Sequence, residues 1–390
     1  MVYGVYVHVP FCLRRCGYCD FNTYTAVDMG GGASRGNYAR MAVKEMRLIR
    51  DWQLSTGLDE PAASTVFFGG GTPTVLPARD LVAMLDAVRS IWGLREDAEV
   101  TTEANPDTVD EAYIHELADG GFTRISFGMQ SAVASVLRTL DRTHTPRNVE
   151  MGVRAADGCS MRSSVDLIYG TPGESTDDWR TSLSTAIGLG VRHISAYALT
   201  VEPNTGMGRR MTRGVLARTD DDDEARKYEI ADDMLADAGL RWYEISNWSY
   251  PGYESRHNLA YWRNDDWAGI GPGAHSHYRH SDHDLRSWDI VHPRAWGMAV
   301  TSRRIPWSGQ ESLTSRERVE ETVMLGMRLR EGLDIRSVER MAGRPVPSGL
   351  IQELHDEGLT LMEDERLVPT RRGRLLNDAV IGRILDSLEP

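Results

Sequence analysis

Cysteine is scarce in this sequence. There are four in 390 residues, which leaves little scope for a disulfide framework. Long apolar runs are missing as well. No stretch reaches the roughly 18 consecutive apolar residues of a membrane-crossing helix, so no transmembrane segment is expected. The chain opens on an alternating apolar segment, Val5-Tyr6-Val7, without a basic segment leading into an apolar core. No signal peptide is therefore expected, and a cytoplasmic location is predicted. Basic charge is in the minority. The 44 Lys and Arg against 57 Asp and Glu give a net charge of −13, which argues against a broad nucleic-acid surface. One basic pocket for an anionic ligand remains compatible with it. No fixed-period repeat is visible.

What is there is ordinary in bulk. Hydrophobic residues make up 41% and charged residues 26%, as in soluble globular proteins. The length suits one domain of roughly 200–300 residues plus a smaller one. The exception is local: three of the four cysteines, Cys12, Cys16 and Cys19, fall within eight positions. A disulfide between two of them would close a very tight loop and leave one over. Clustered cysteines in a reducing compartment are more often metal ligands. A structural zinc site needs four ligands, and His8 is at the wrong spacing. Three thiolates on a four-iron cluster would leave one iron open to a small molecule. The open iron–sulfur cluster is the preferred reading, with zinc as the alternative.

Short apolar runs at 5–9, 65–68, 100–103, 124–127, 164–168 and 193–198 are separated by room for a helix. Residues 39–49 and 80–92 show the three- and four-residue apolar steps of such helices. Alternating strands and helices predict a parallel sheet in an α/β fold. Six such units fit a partial, open (β/α)6 barrel, whose site lies at the C-terminal ends of the strands. Gly30-Gly31-Gly32 reads as a flexible loop. The acidic run 220–224 reads as a solvated, N-capped helix start. From about 308 the pattern changes. Helices at 319–330, 335–341 and 350–357 and a hairpin at 359–362 and 367–370 predict a small helical, winged-helix-like domain. Three units follow: a core at 1–240, an extension at 241–307 and a C-terminal domain at 308–390.

Several positions at strand ends carry chemistry. Gly69-Gly70-Gly71-Thr72 is a glycine turn where backbone groups can meet a ligand. Glu103 reads either as a surface carboxylate or as a partner for a cationic group. Asp166 lies in an apolar run and needs partners, since an unpaired buried carboxylate is costly. Cys159 reads as an inert core thiol.

Cys-x3-Cys-x2-Cys with an aromatic residue, Tyr18, before the last cysteine resembles the radical S-adenosylmethionine (SAM) superfamily. The wider string Tyr6-Val7-His8-Val9-Pro10-Phe11-Cys12 is similar to the oxygen-independent coproporphyrinogen III oxidase group and its relative, the HemW-type radical SAM heme chaperones. The resemblance implies the partial barrel and a [4Fe–4S] cluster on Cys12, Cys16 and Cys19. It also implies SAM on the open iron, with reductive cleavage to a 5′-deoxyadenosyl radical. By motif match, SAM would be held by Tyr6, Gly70, Gly71, Thr72, Glu103, Gln130, Arg142 and Asp166, with Tyr18 in the aromatic slot.

Two features separate the branches. The oxidase branch carries a further cysteine two residues after the third; here that position is Phe21. It also tends to carry an N-terminal extension, without counterpart before the strand that starts at residue 3. Downstream, His257-Asn258-Leu259-Ala260-Tyr261-Trp262 matches the His-Asn-x-x-Tyr-Trp motif of the chaperone branch. A histidine can ligate heme iron, and a Tyr-Trp pair can wall a macrocycle. His275, His277, His280 and His283 are rival ligands that singly read as surface residues. The resemblance thus implies a heme chaperone that delivers heme to acceptor hemoproteins, such as respiratory ones. Oxidative decarboxylation of coproporphyrinogen III is the alternative. SAM cleavage in function, peripheral membrane contact and oligomeric state stay open.

Overall fold

The computed structural model describes residues 2–280 and 283–389. Six strands, β1 (Tyr3–Val9), β2 (Ala63–Gly70), β3 (Leu94–Ala104), β4 (Arg124–Gln130), β5 (Arg162–Tyr169) and β6 (His193–Ala198), lie side by side in sequence order. All five pairings among them are parallel. A helix separates each consecutive pair, as parallel pairing requires. This is the predicted partial barrel.

The strands are buried on both faces, as covered parallel sheets are. The buried run breaks at a single interior residue in four of them: Tyr6 in β1, Gly128 in β4, Asp166 in β5 and, before its terminal glycine, Phe67 in β2. In the inner half of β3 it breaks at Glu103. All five line one internal cavity.

The sheet extends well beyond the six strands, which the apolar runs did not suggest. β7 (Arg241–Glu244) and β8 (Asn247–Ser249) add to β6. β9 (Asp266–Ile270) pairs in parallel with β1, and β10 (His275–Arg279), β11 (Asp284–Asp289) and β12 (Trp307–Ser312) follow it antiparallel. The result is one twelve-stranded sheet. Gly30–Ala33 is a hydrogen-bonded turn, with Met29 N donating to Ala33 O at 2.9 Å. It packs on the helix Pro293–Thr301, where a side chain at Gly31 would collide with the Arg294 carbonyl. The acidic run does cap its helix, Asp220 accepting from Asp223 N at 2.9 Å. It is not purely solvated, because Asp223 pairs with the buried Lys227 at 2.7 Å.

The C-terminal part has its own core, including Val323, Met327, Val338, Leu354 and Ile384. Helices Ser315–Gly326, Ile335–Ala342 and Ser348–Asp356 surround a small sheet of β13 (Leu333–Asp334), β14 (Thr360–Glu363) and β15 (Arg366–Pro369), followed by two further helices. Among the described residues no helix is long and apolar enough to cross a membrane.

Candidate functional site

Cys12, Cys16 and Cys19 occupy the loop after β1, and all are free thiols. Backbone bonds fix that loop. Cys12 N donates to Tyr24 O at 3.0 Å, Thr72 N to Phe11 O at 2.8 Å and Gly71 N to Val9 O at 2.8 Å. The glycine turn thus uses the N–H groups of Gly71 and Thr72 to clamp the cysteine loop, and the Thr72 side chain faces Cys12. That side chain donates to Cys12 Sγ at 3.5 Å. A Cβ at Gly71 would come within 2.6 Å of Phe11 O and 3.1 Å of Cys12 Sγ. Gly70 has φ 104°, and a Cβ there would sit 2.5 Å from His8 Nδ1. Both positions need glycine for space. Burial pushes the Cys12 and Cys19 thiols up.

The cavity behind the loop measures about 630 Å³ and is lined by the three cysteines together with Tyr6, Tyr18, Gly70, Gly71, Thr72, Glu103, Gln130, Arg142, Asp166 and His257. The residues matched by motif to the cluster, SAM and heme therefore meet in one place, whereas Cys159 and the rival histidines His275, His277, His280 and His283 do not line it. Tyr18, within the loop, packs against the small apolar cluster that includes Val136, Leu140 and Met207, and burial raises its pKa. Tyr6 bonds His8 Nδ1 through its hydroxyl at 3.0 Å. Gln130 has φ 61° at the centre of a tight turn, with Ser131 N donating to Met129 O at 2.7 Å. Such strain in a non-glycine residue clusters at functional sites. Arg142 donates to Gly128 O at 2.7 Å and Asn105 Oδ1 at 3.2 Å, and reaches Cys16 Sγ at 3.7 Å. Burial of His144, then the charge of Arg142, holds that imidazole down at about 4.

Two carboxylates face the middle of the cavity. Burial, then the charge of Asp166, push Glu103 up to about 8. Asp166 is also raised by burial, opposed by hydrogen bonds from Ser195 and Ser126. Ser126 Oγ lies 3.0 and 3.1 Å from its two oxygens. These serines are the partners that its position demanded.

His257 lies on the helix Arg256–Trp262, whose first N–H groups at Arg256 and His257 donate to Glu99 at 3.1 Å. The ring stacks on Phe67 at 5.2 Å. Its Nδ1 bonds Thr65 Oγ1 at 2.8 Å and its Nε2 bonds the Tyr261 hydroxyl at 2.9 Å. Burial pushes its pKa down to about 3, so the imidazole is neutral and both nitrogens are engaged. Of the rival histidines, His275 is exposed and stacks on Trp288, while His280 and His283 stack on each other at 4.5 Å. His277, expected at the surface, is wholly buried between Trp267 and Asp266. Cys159 is packed against the main core, its thiol donating to Ala155 O at 3.3 Å.

Comparisons with known proteins bear on the family and the fold. The radical SAM superfamily model matches residues 6–186 and the HemN C-terminal domain model matches residues 313–376. A Mycobacterium tuberculosis protein named heme chaperone HemW is 43% identical over 98% of this chain and 95% of its own length. The chain belongs to the HemW-type branch of the radical SAM superfamily. The Bacillus subtilis HemW is 30% identical over 99% of this chain and all of its own. Among solved structures, the Escherichia coli coproporphyrinogen III oxidase HemN superposes with a TM-score of 0.80 at 19% identity, covering 99% of this chain and 90% of that one. At that identity the likeness concerns the fold.

Several cavity residues escaped the motif reading: Phe67, Arg124, Ser126, His193, Ser195 and Asn247. Alternation offered a signal for two of them. Counting back from Gln130 by twos along β4 gives Gly128, Ser126 and Arg124, and all four line the cavity.

Proposed function

We propose that this protein binds heme and delivers it to acceptor hemoproteins, respiratory ones among them, with a [4Fe–4S] cluster and SAM in the same cavity. The observation that carries the proposal is the full-length likeness to proteins named heme chaperones, with His257 and Tyr261 walling the cavity that the three cysteines enter. In this reading Cys12, Cys16 and Cys19 hold the cluster. Among the described residues no three His, Cys, Asp or Glu side chains could hold one metal ion together. With a cluster bound, the site gains an electron carrier whose open iron accepts the methionyl end of SAM.

The protein's own groups prepare the rest. Arg142 beside Cys16 offsets thiolate charge. Glu103 and Asp166 offer carboxylates to the cationic groups of SAM. Tyr6, Gly70, Gly71, Thr72 and Gln130 shape its berth, and Tyr18 backs the loop. His257, neutral through burial, is in the form that ligates iron; iron would replace the Tyr261 hydroxyl at Nε2. We assign 1–240 to the SAM core, 241–307 to the heme-motif extension and 308–390 to the C-terminal domain. The proposed setting is the cytoplasm.

The test is a heme titration of the anaerobically reconstituted protein. A Soret band that weakens in His257→Ala supports the assignment, and an unchanged band removes His257 as ligand. Incubation with SAM, reductant and coproporphyrinogen III should leave that substrate intact. Appearance of protoporphyrinogen IX would replace the chaperone reading with the oxidase one.

A further inference from the structure

Arg124 is a buried cation with no carboxylate in ion-pair contact, although its charge acts on Glu103 and Asp166 across the cavity. It opens β4 and is 4% exposed. Its hydrogen bond to protein goes to a neutral group, Nη2 donating to Ser164 Oγ at 2.9 Å. No ion pair among the described residues includes it. Arg124 lines the cavity. A guanidinium is always charged, and burying it without a close anion is expensive. Next to it His193 is 3% exposed, and its Nδ1 is buried without a hydrogen-bond partner. Burial, then the charge of Arg124, holds that imidazole well below its ordinary value, so it is neutral.

The position matters as much as the charge. Arg124, Ser126, Gly128 and Gln130 all line the cavity, so the cavity runs the length of β4, about 20 Å at the usual strand rise. The cysteine loop and Arg142 stand at one end. Arg124 stands at the other. Between them a chain of donors runs from Arg124 to Ser164, from Ser164 Oγ to Ser126 Oγ at 2.8 Å, and from Ser126 Oγ to Asp166. The Asp166 carboxylate is thus linked to the guanidinium through two serines and feels its charge, without forming an ion pair with it.

We propose that Arg124 anchors a ligand carboxylate at the floor of this cavity. Resting on the heme reading above, the ligand is heme and the group is one of its propionates. A propionate is a slender anionic arm, and the planar guanidinium binds a carboxylate through two parallel hydrogen bonds. The carboxylate of SAM is the other source of the same chemistry, but it belongs to the methionyl end that would meet the open iron, at the opposite end of the cavity from Arg124.

The experiment compares heme with heme dimethyl ester, whose propionates are blocked. Both are titrated into the cluster-reconstituted protein with SAM present. Wild type should prefer heme by about 10- to 100-fold, as for loss of a buried charge-assisted hydrogen bond. Arg124→Met should bind both alike, near the wild-type affinity for the ester. Arg124→Lys, which keeps the charge and loses the fork, should retain part of the preference and controls for folding. An undiminished preference in Arg124→Met overturns the anchor. So does a loss of SAM affinity with the heme preference intact, which would give the site to SAM. If wild type binds neither porphyrin, the heme reading fails and takes the propionate with it. If wild type binds both equally, the heme reading stands and the anchor alone fails.

Discussion

Glu103 gives the sharpest handle on the SAM site. Its carboxyl is pushed up to about 8 by burial and by Asp166. At pH 7 about nine molecules in ten would then carry the proton, and ionising it costs about 1.4 kcal/mol for the one unit of difference. A ligand that brings a positive charge beside Glu103 selects the ionised form, so binding must release that proton. The expected release is about 0.9 proton at pH 7, half a proton at pH 8 and about 0.1 at pH 9. The observed affinity should climb about tenfold between pH 7 and pH 9 from this group alone.

The assay is calorimetric titration with SAM in two buffers of different ionisation heat, for wild type and Glu103→Gln. SAM has an amine that titrates in the same range, and its contribution cancels in the difference between the two proteins. Equal proton release in wild type and variant would refute the reasoning. The same group makes a second, opposite-signed statement about the ligand-free protein. Folded Glu103 keeps its proton between about pH 4.5 and 8, where the unfolded chain has lost it. Stability from this group is therefore present below pH 4.5 and fades as pH rises through 8.

Other perturbations test other parts of the chain. Cys16→Ala should fold normally by circular dichroism yet lose the roughly four irons per chain expected after reconstitution; retained iron would sink the cluster assignment. Gly71→Ala drives a Cβ to 2.6 Å from Phe11 O and should lower stability by about 1–3 kcal/mol in denaturant unfolding, along with SAM affinity. An unshifted midpoint would show that the clamp on the cysteine loop yields freely. Lys227 is 1% exposed and pairs with the wholly buried Glu174 at 3.1 Å. Lys227→Met should cost about 3–5 kcal/mol by stranding that carboxylate. Lys227→Met combined with Glu174→Gln should recover part of the loss, and no recovery would argue against a charge effect.

The parallel strands and the three thiols were legible because each leaves a local mark, an apolar run or a close spacing. Asp166 could be flagged as needing partners, but Ser126 and Ser195 come from neighbouring strands and only the fold supplies them. β7 to β12 were not legible. They are short, carry mixed polar residues, and the key pairing, β9 on β1, joins segments about 260 residues apart. His277 was misjudged for the same reason. Its neighbours Trp267 and Asp266 reach it across the β9–β10 pairing. The acidic run showed its cap in the sequence but hid its contact with Lys227, one helical turn further on.

The pairing of β9 with β1 also decides how His257 can act. It brings the preceding helix over β2, where Thr65 and Phe67 hold the ring and Glu99 holds the helix start. If the Tyr261 hydroxyl donates to Nε2, then Nδ1 carries the proton and donates to Thr65, and Nε2 is the nitrogen with a free pair for iron. Tyr261 is then a competitor for the bond that heme needs. Tyr261→Phe removes the competitor. The bare, buried Nε2 should lower the stability of the ligand-free protein by about 1–3 kcal/mol, and heme, by satisfying it, should bind about tenfold or more tightly. The alternative is that Tyr261 orients His257 for an indirect role, and there the same variant weakens or leaves unchanged the heme affinity. The two readings differ in sign, so a Soret titration of Tyr261→Phe, read beside its unfolding midpoint, separates an iron ligand from a wall residue.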